Sequence, residues 1–180
     1  IEELSKLIKR AKQNNSISIS AEDDEYLIVK LENGRKREFQ IRLIESSQSP
    51  QQVPKLALDS KIVIDKGVFE DTLNDVGAVA DHITIETNND EIKFIGNGDA
   101  GKAEITLNKS DEGVSEISSK VESKATYSLQ YLLSILKAIG TTAETISIEY
   151  SNKMPFKIEF RLGEVGGYIN FYLAPRIDDR

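Results

Sequence analysis

The chain has 180 residues, a formal net charge of −7, 39% hydrophobic and 29% charged residues, a composition that suits one large or two small folded domains and excludes global disorder. It has no cysteine and a single histidine, which removes disulfides, cysteine nucleophiles and His-paired metal sites. No run approaches the roughly 18 apolar residues a membrane helix needs, and an acidic chain repels nucleic acid on average, so any DNA contact must come from a local basic face.

The N-terminus, Ile1-Glu2-Glu3, has neither the basic nor the apolar region of a signal peptide. A chain that opens on Ile1 rather than Met is expected to be a fragment or a processed product. The first predicted element is a helix from Glu2 to Lys12, with Leu4, Leu7, Ile8 and Ala11 at helical spacing. Alternating runs at Ser16–Ser20, Tyr26–Leu31 and Arg37–Leu43 predict three strands, with Asn33-Gly34 as a hairpin turn. The stretch Ile44–Ser60 carries two prolines and many polar residues, followed by Val53, Leu56 and Leu58, and reads as an extended connector. Lys61–Asp65 is a strand, and a helix follows near Gly67–Val76. Three more strands lie at His82–Thr87, Glu91–Ile95 and Lys102–Leu107. Asn108–Lys124 connects, with a further short strand at Val114–Ile117. Ala125–Tyr127 is a strand, Ser128–Ile139 a helix, and Thr145–Tyr150, Phe156–Phe160 and Tyr168–Leu173 are strands.

This order is a repeat: a helix followed by three strands, three times. Ser16-Ile17-Ser18-Ile19, His82-Ile83-Thr84-Ile85 and Thr145-Ile146-Ser147-Ile148 occupy equivalent places. The second and third repeats have an extra leading strand and form βαβββ units. The fold class is therefore α+β, with helices on one face of antiparallel sheets. Such a unit cannot bury its helix stripe and its sheet face alone. Repeats two and three pair around one core, while repeat one lacks a partner, so a fourth repeat and one strand are expected to be absent from the N-terminus.

Gly96-Asn97-Gly98-Asp99-Ala100-Gly101 matches a dinucleotide-binding glycine pattern, but Lys102–Leu107 after it alternates like a strand, so a glycine-rich hairpin is expected. His82 opens a strand and reads as structural or surface. The acidic runs at Glu22–Glu25 and Asp178-Asp179 lack the ligand spacing of a calcium loop and read as solvated turns. Lys6, Lys9 and Arg10, with Lys12 at the flank, oppose the apolar stripe of the first helix. They read as a solvated face or as sequence-independent phosphate contacts. The C-terminal Tyr168–Arg180 carries apolar residues past its strand, consistent with a frayed end or a docking patch.

The terminal Tyr172-Leu173-Ala174-Pro175-Arg176-Ile177-Asp178-Asp179, the helical Ser5-Lys6-Leu7-Ile8-Lys9 and the connector Val53-Pro54 together resemble the sliding clamps of the proliferating cell nuclear antigen family, in its archaeal form. The resemblance runs from Ile1 to Arg180. It implies a non-enzymatic subunit of two similar domains, three of which close a ring around duplex DNA. Residues 1–43 would be the C-terminal half of the first domain, 44–60 the connector, and 61–180 the second domain. No cofactor and no membrane are expected, and the location implied is intracellular, cytoplasmic and DNA-associated.

The resemblance also assigns residues. Polymerase, ligase, flap nuclease and clamp loader would insert a motif with a glutamine and paired aromatics into a pocket of Val53, Pro54, Leu56, Leu58, Ser128, Pro155, Tyr172, Leu173, Ala174 and Pro175. Lys6, Lys9, Arg10 and Lys137 would face the DNA. Subunits, identical or different, would join by edge strands carrying Phe39, Ile41 and Leu43 on one side and Lys102, Ala103, Ile105 and Leu107 on the other. One departure is that the second helix carries Glu70, Asp71, Asn74 and Asp75 where the family presents basic residues. A heterotrimer with more basic partners fits that departure. The alternative function is a peptide-binding scaffold that no longer encircles DNA.

Overall fold

A computed structural model describes residues 1–21, 24–44, 56–163 and 166–177. Two compact units divide the chain, Ile1–Pro54 and Lys55–Arg180.

The first unit opens with α1 (Glu2–Ile8), which is shorter than the expected Glu2–Lys12. Its end has a local cause. The backbone N–H groups of Arg10 and Ala11 donate to Leu7 and Ile8, three residues back, which tightens the last turn. Asn15 Oδ1 then accepts from the Lys12 N–H at 2.6 Å, and Asn14 adopts a left-handed φ of 93°. Short polar side chains that bond the nearby backbone outcompete helix continuation. Three antiparallel strands follow, β1 (Ser16–Ala21), β2 (Tyr26–Glu32) and β3 (Lys36–Arg42), with β2 in the middle. Register puts Ile17 and Ile19 opposite Leu31 and Val29, and Phe39 and Ile41 opposite Val29 and Leu27, so one face of the sheet is apolar. Only Ile28, Val29 and Leu31 are buried within this unit among its described hydrophobics, and Ile17 and Ile19 stay exposed at 42% and 49%.

The second unit holds β4 (Ser60–Asp65), α2 (Lys66–Gly77), β5 (His82–Thr87), β6 (Glu91–Gly98), β7 (Gly101–Asn108), β8 (Val114–Ser119), β9 (Ser123–Ser128), α3 (Leu129–Ile139), β10 (Thr145–Tyr150), β11 (Phe156–Leu162) and β12 (Gly167–Leu173). The strands form a five-stranded sheet, β12-β11-β10-β4-β8, and a four-stranded sheet, β7-β6-β5-β9. The two βαβββ repeats exchange their leading strands: β4 precedes α2 yet pairs with β10, and β9 precedes α3 yet pairs with β5. Neither repeat can therefore complete its sheet without the other.

One core fills the space between these layers. Phe69, Leu73 and Val76 from α2 and Leu132 and Leu136 from α3 meet Ile62, Ile64, Ile83, Ile85, Phe94, Ile146, Ile148 and Ile158. An aromatic cluster sits at its centre, with Tyr127 4.9 Å and Phe69 6.3 Å from Phe156 by ring centroids. The buried Tyr150 hydroxyl is satisfied by Thr87 Oγ1 at 2.6 Å and donates to the Ser123 carbonyl at 3.2 Å. The Gly96–Gly101 stretch is the hairpin between β6 and β7. Its glycines admit the end of α2: a Cβ on Gly98 would stand 2.0 Å from the Val79 carbonyl oxygen, and one on Gly96 would meet Val76.

Candidate functional site

The C-terminal tail sets the geometry of the expected docking site. β12 delivers Leu173 opposite Phe156 at the start of β11. The chain then leaves the five-stranded sheet and crosses to the other one, where the Arg176 N–H donates to the Thr126 carbonyl of β9 at 2.8 Å. The Arg176 guanidinium also bonds Nε2 of His82 on β5. Tyr172 and Ala174 are exposed along this path, and Leu173 and Pro175 are half-buried.

The turn between β10 and β11 flanks the tail. Pro155 is half-buried there, and Met154 beside it accepts from the Tyr127 hydroxyl at 2.7 Å. Burial holds the Tyr127 phenol well above its ordinary pKa, so it remains a neutral donor. The Lys153 N–H reaches the Lys124 carbonyl, which locks the turn to β9. Leu56 and Leu58 are half-buried where the chain enters this unit. Asp59, next to Leu58, is tied to the same turn: its N–H donates to Ser151 Oγ at 2.6 Å, and that hydroxyl donates to Asp59 Oδ2 at 3.0 Å. Ser128 occupies the N-cap position of α3 without a side-chain cap hydrogen bond, and pairs with His82 across the ladder. Val53 and Pro54 lie outside the described residues. Register thus sets Leu173 opposite Phe156, which follows Pro155, and the tail's backbone bond brings Arg176, which follows Pro175, to β9. The roles of Arg176 and His82 were not visible in sequence, because no periodicity links a strand start to a tail in the next repeat.

The expected DNA-facing cations divide into three cases. Lys6 is on α1 but is engaged by Glu2 at 3.0 Å and Glu3 at 3.3 Å. Hydrogen bonds to those carboxylates raise its pKa, so it stays charged but partly neutralised. Lys9 and Arg10 are exposed but stand on the turn after α1, a correction to their placement on the helix. Lys137 is exposed in the last turn of α3, where its charge suits the helix dipole. On α2, Asp71, Asn74 and Asp75 are exposed, while Glu70 is half-buried and paired with Lys66 at 2.8 Å.

Two sheet edges match the expected interface strands. β3 pairs only with β2, and β7 only with β6, among the described residues. Both alternate, with Phe39 and Ile41 on β3, and Ala103, Ile105 and Leu107 on β7, half-buried on one side. Leu43 falls just past β3, a correction of the strand end, though its N–H still bonds the Glu25 carbonyl at 2.7 Å. On β7, Lys102 pairs with Glu104 at 2.7 Å on the other face and depresses the glutamate's pKa. Among the described residues no cluster of three histidine, cysteine, aspartate or glutamate side chains is placed to hold a metal, and no helix is long and apolar enough to cross a membrane.

Comparison with known proteins agrees with this architecture. The sequence profile described as proliferating cell nuclear antigen, C-terminal domain, matches residues 52–176. The chain is 46% identical over 178 residues to a DNA polymerase sliding clamp of Nitrosopumilus maritimus, covering 99% of this chain and 71% of that protein. It is 40% identical to one from Cenarchaeum symbiosum, covering 98% and 70%. The crystal structure of the proliferating cell nuclear antigen from Thermococcus kodakaraensis superimposes with a TM-score of 0.86 over 97% of this chain and 71% of that one, and its 21% identity speaks to the fold alone. The chain belongs to the proliferating cell nuclear antigen family of DNA sliding clamps, which are non-enzymatic processivity factors.

Proposed function

We propose that this chain is a subunit of a ring that encircles duplex DNA and tethers polymerase, ligase, flap nuclease and clamp loader through a motif-binding pocket. In this reading residues 1–43 act as the C-terminal half of one clamp domain, 44–60 as the connector, and 61–180 as a second domain. The location that follows is intracellular, on DNA. The observation that carries the docking site is the tail's crossing from β12 to β9, fastened by Arg176 to Thr126. Leu173 and Pro175 are half-buried along this crossing, as is Pro155 before Phe156, and together they offer apolar surface for aromatic anchors. The family resemblance assigns Val53, Pro54, Leu56 and Leu58 of the connector, and Ser128, Tyr172 and Ala174, to the same proposed pocket.

Subunits join, in this proposal, by antiparallel pairing of β3 with β7 of a neighbour, which continues both apolar faces across the junction. The exposed Asp71 and Asp75 on α2 favour neighbours with more basic helices, and so a heterotrimer. The deciding experiment is calorimetric titration with a synthetic peptide bearing a glutamine and paired aromatics. Leu173→Glu or Val53→Glu is expected to cost about 2 kcal/mol or more of affinity, roughly 30-fold. Unchanged affinity in a variant that keeps its circular dichroism spectrum rejects the pocket.

A further inference from the structure

The surface of α3 differs from the rest of this acidic chain. Leu129, Leu132, Leu136 and Ile139 are buried and fix the helix against the core. Gln130, Tyr131, Ser134, Lys137 and Ala138 are left exposed. Aspartate and glutamate make up 30 of the 180 residues, yet α3 holds none, and Lys137 is its one charge. The helix packed beside it, α2, carries Glu70, Asp71 and Asp75 instead.

Tyr131 stands out on this face. It is 61% exposed in the first turn of α3, and among the described residues its hydroxyl has no hydrogen-bond partner. The core tyrosines differ, since the Tyr127 hydroxyl bonds the Met154 carbonyl and that of Tyr150 bonds Thr87. Tyrosine, glutamine, serine, threonine and lysine side chains are the types that donate to the phosphate and sugar oxygens of nucleic acid. The exposed polar residues of α3 are all of these types, and Thr141 just beyond the helix continues them. Gln130, Tyr131 and Ser134 are three and four residues apart and so adjoin on the helix surface. A face of such donors without a carboxylate meets a polyanion free of like-charge repulsion, whereas the acids of α2 repel it.

We infer that Tyr131 contacts the sugar–phosphate backbone of duplex DNA: its hydroxyl donates to a phosphate oxygen, with Gln130 and Ser134 as further neutral donors on the same face. The inference rests on the encirclement reading above and adds to it a component of affinity that does not depend on salt. Lysine and arginine contacts release counterions and so steepen the salt dependence of binding. A neutral hydroxyl releases none. Its loss lowers affinity by the same factor at every salt concentration and leaves the slope as it was. The contact carries no sequence information, because it touches no base edge.

The test titrates the full chain, carrying 13C-labelled tyrosine, with a short duplex across a salt series and follows the ring signals by NMR. Tyr131→Phe removes one of the six tyrosine signals and thereby assigns it. The Tyr131 signal of the wild type is expected to shift as duplex is added. Tyr131→Phe is expected to weaken binding about threefold at every salt concentration, within the range of one hydrogen bond, with the slope and the thermal midpoint unchanged. Lys137→Gln is expected to flatten the slope by about 0.9. A Tyr131 signal that stays put while duplex binds overturns the contact. So does wild-type affinity in Tyr131→Phe when Lys137→Gln still flattens the slope, and the encirclement reading survives either result. A duplex that binds neither the wild type nor the variants at any salt concentration overturns both.

Discussion

Tyr150 shows how one side chain ties both repeats together. Its hydroxyl bonds Thr87 at the end of β5 and the Ser123 carbonyl at the start of β9, while its own strand lies in the other sheet. Tyr150→Phe keeps the packing but leaves a buried hydroxyl and carbonyl short of a partner. The expected loss is about 1–2 kcal/mol in urea denaturation. The same burial raises the phenol pKa of Tyr150 and Tyr127 above the ordinary tyrosine value of about 10. An acid whose folded pKa is raised keeps its proton in the folded state after the unfolded chain has lost it. Stability is therefore unaffected by these groups below about pH 10 and falls as pH rises above it. Denaturation midpoints measured between pH 9 and 11.5 are expected to decline, and less steeply in Tyr150→Phe. Gly98 makes a demand of a different kind, for space: with the Val79 carbonyl oxygen 2.0 Å from where a Cβ would stand, Gly98→Ala forces α2 and β6 apart. The expected cost is about 1–3 kcal/mol in the same measurement.

The elements themselves were largely legible. Strict alternation located every strand to within a residue or three, because a half-buried strand must alternate. Helices α2 and α3 ended close to their periodic runs for the same reason. α1 did not, since Asn14 and Asn15 bond the backbone locally and end it early. The exchange of β4 and β9 between repeats left no trace in the alternation, because a strand's hydrophobic pattern states which face is buried and not which neighbour it meets. At this scale the edges matter most. β7 presents an alternating edge in the second unit that pairs with no strand but β6 among the described residues. Ile105→Glu puts a charge on the side of β7 that would continue a neighbour's apolar face. Sedimentation velocity is expected to show a shift toward smaller species in this variant while the thermal unfolding of the second unit changes little. An unaltered distribution of species in Ile105→Glu excludes β7 as the joining edge.

At the scale of the whole molecule, a net charge of −7 has to be reconciled with the proposed encirclement of DNA. A ring holds its track by topology, so weak, sequence-independent phosphate contacts suffice. Four cations, Lys6, Lys9, Arg10 and Lys137, are expected to give a slope of log affinity against log salt near −3.6 for duplex DNA, at roughly −0.9 per neutralised phosphate. The Glu2 and Glu3 pairs on Lys6 reduce its share. Lys9→Gln with Arg10→Gln is expected to flatten the slope by about 1.8, read by fluorescence anisotropy across a salt series. Base preference surviving at high salt contradicts this account, because phosphate contacts carry no sequence information.

Composition, alternation and the Tyr172–Asp179 signature were enough to settle the repeat, the α+β class and the family, because these are local or compositional properties written along the chain. The resemblance carried by that signature also pointed to Leu173 and Pro175 as candidate docking residues without any view of their surroundings. Tertiary structure alone determined what holds that tail in place. The partners of Arg176, Thr126 and His82, come from β9 and β5 of a sheet to which the tail's own strand does not belong. Contacts between residues so far apart in sequence arise from how layers stack and strands are exchanged, and neither process leaves a period in the sequence for inspection to find.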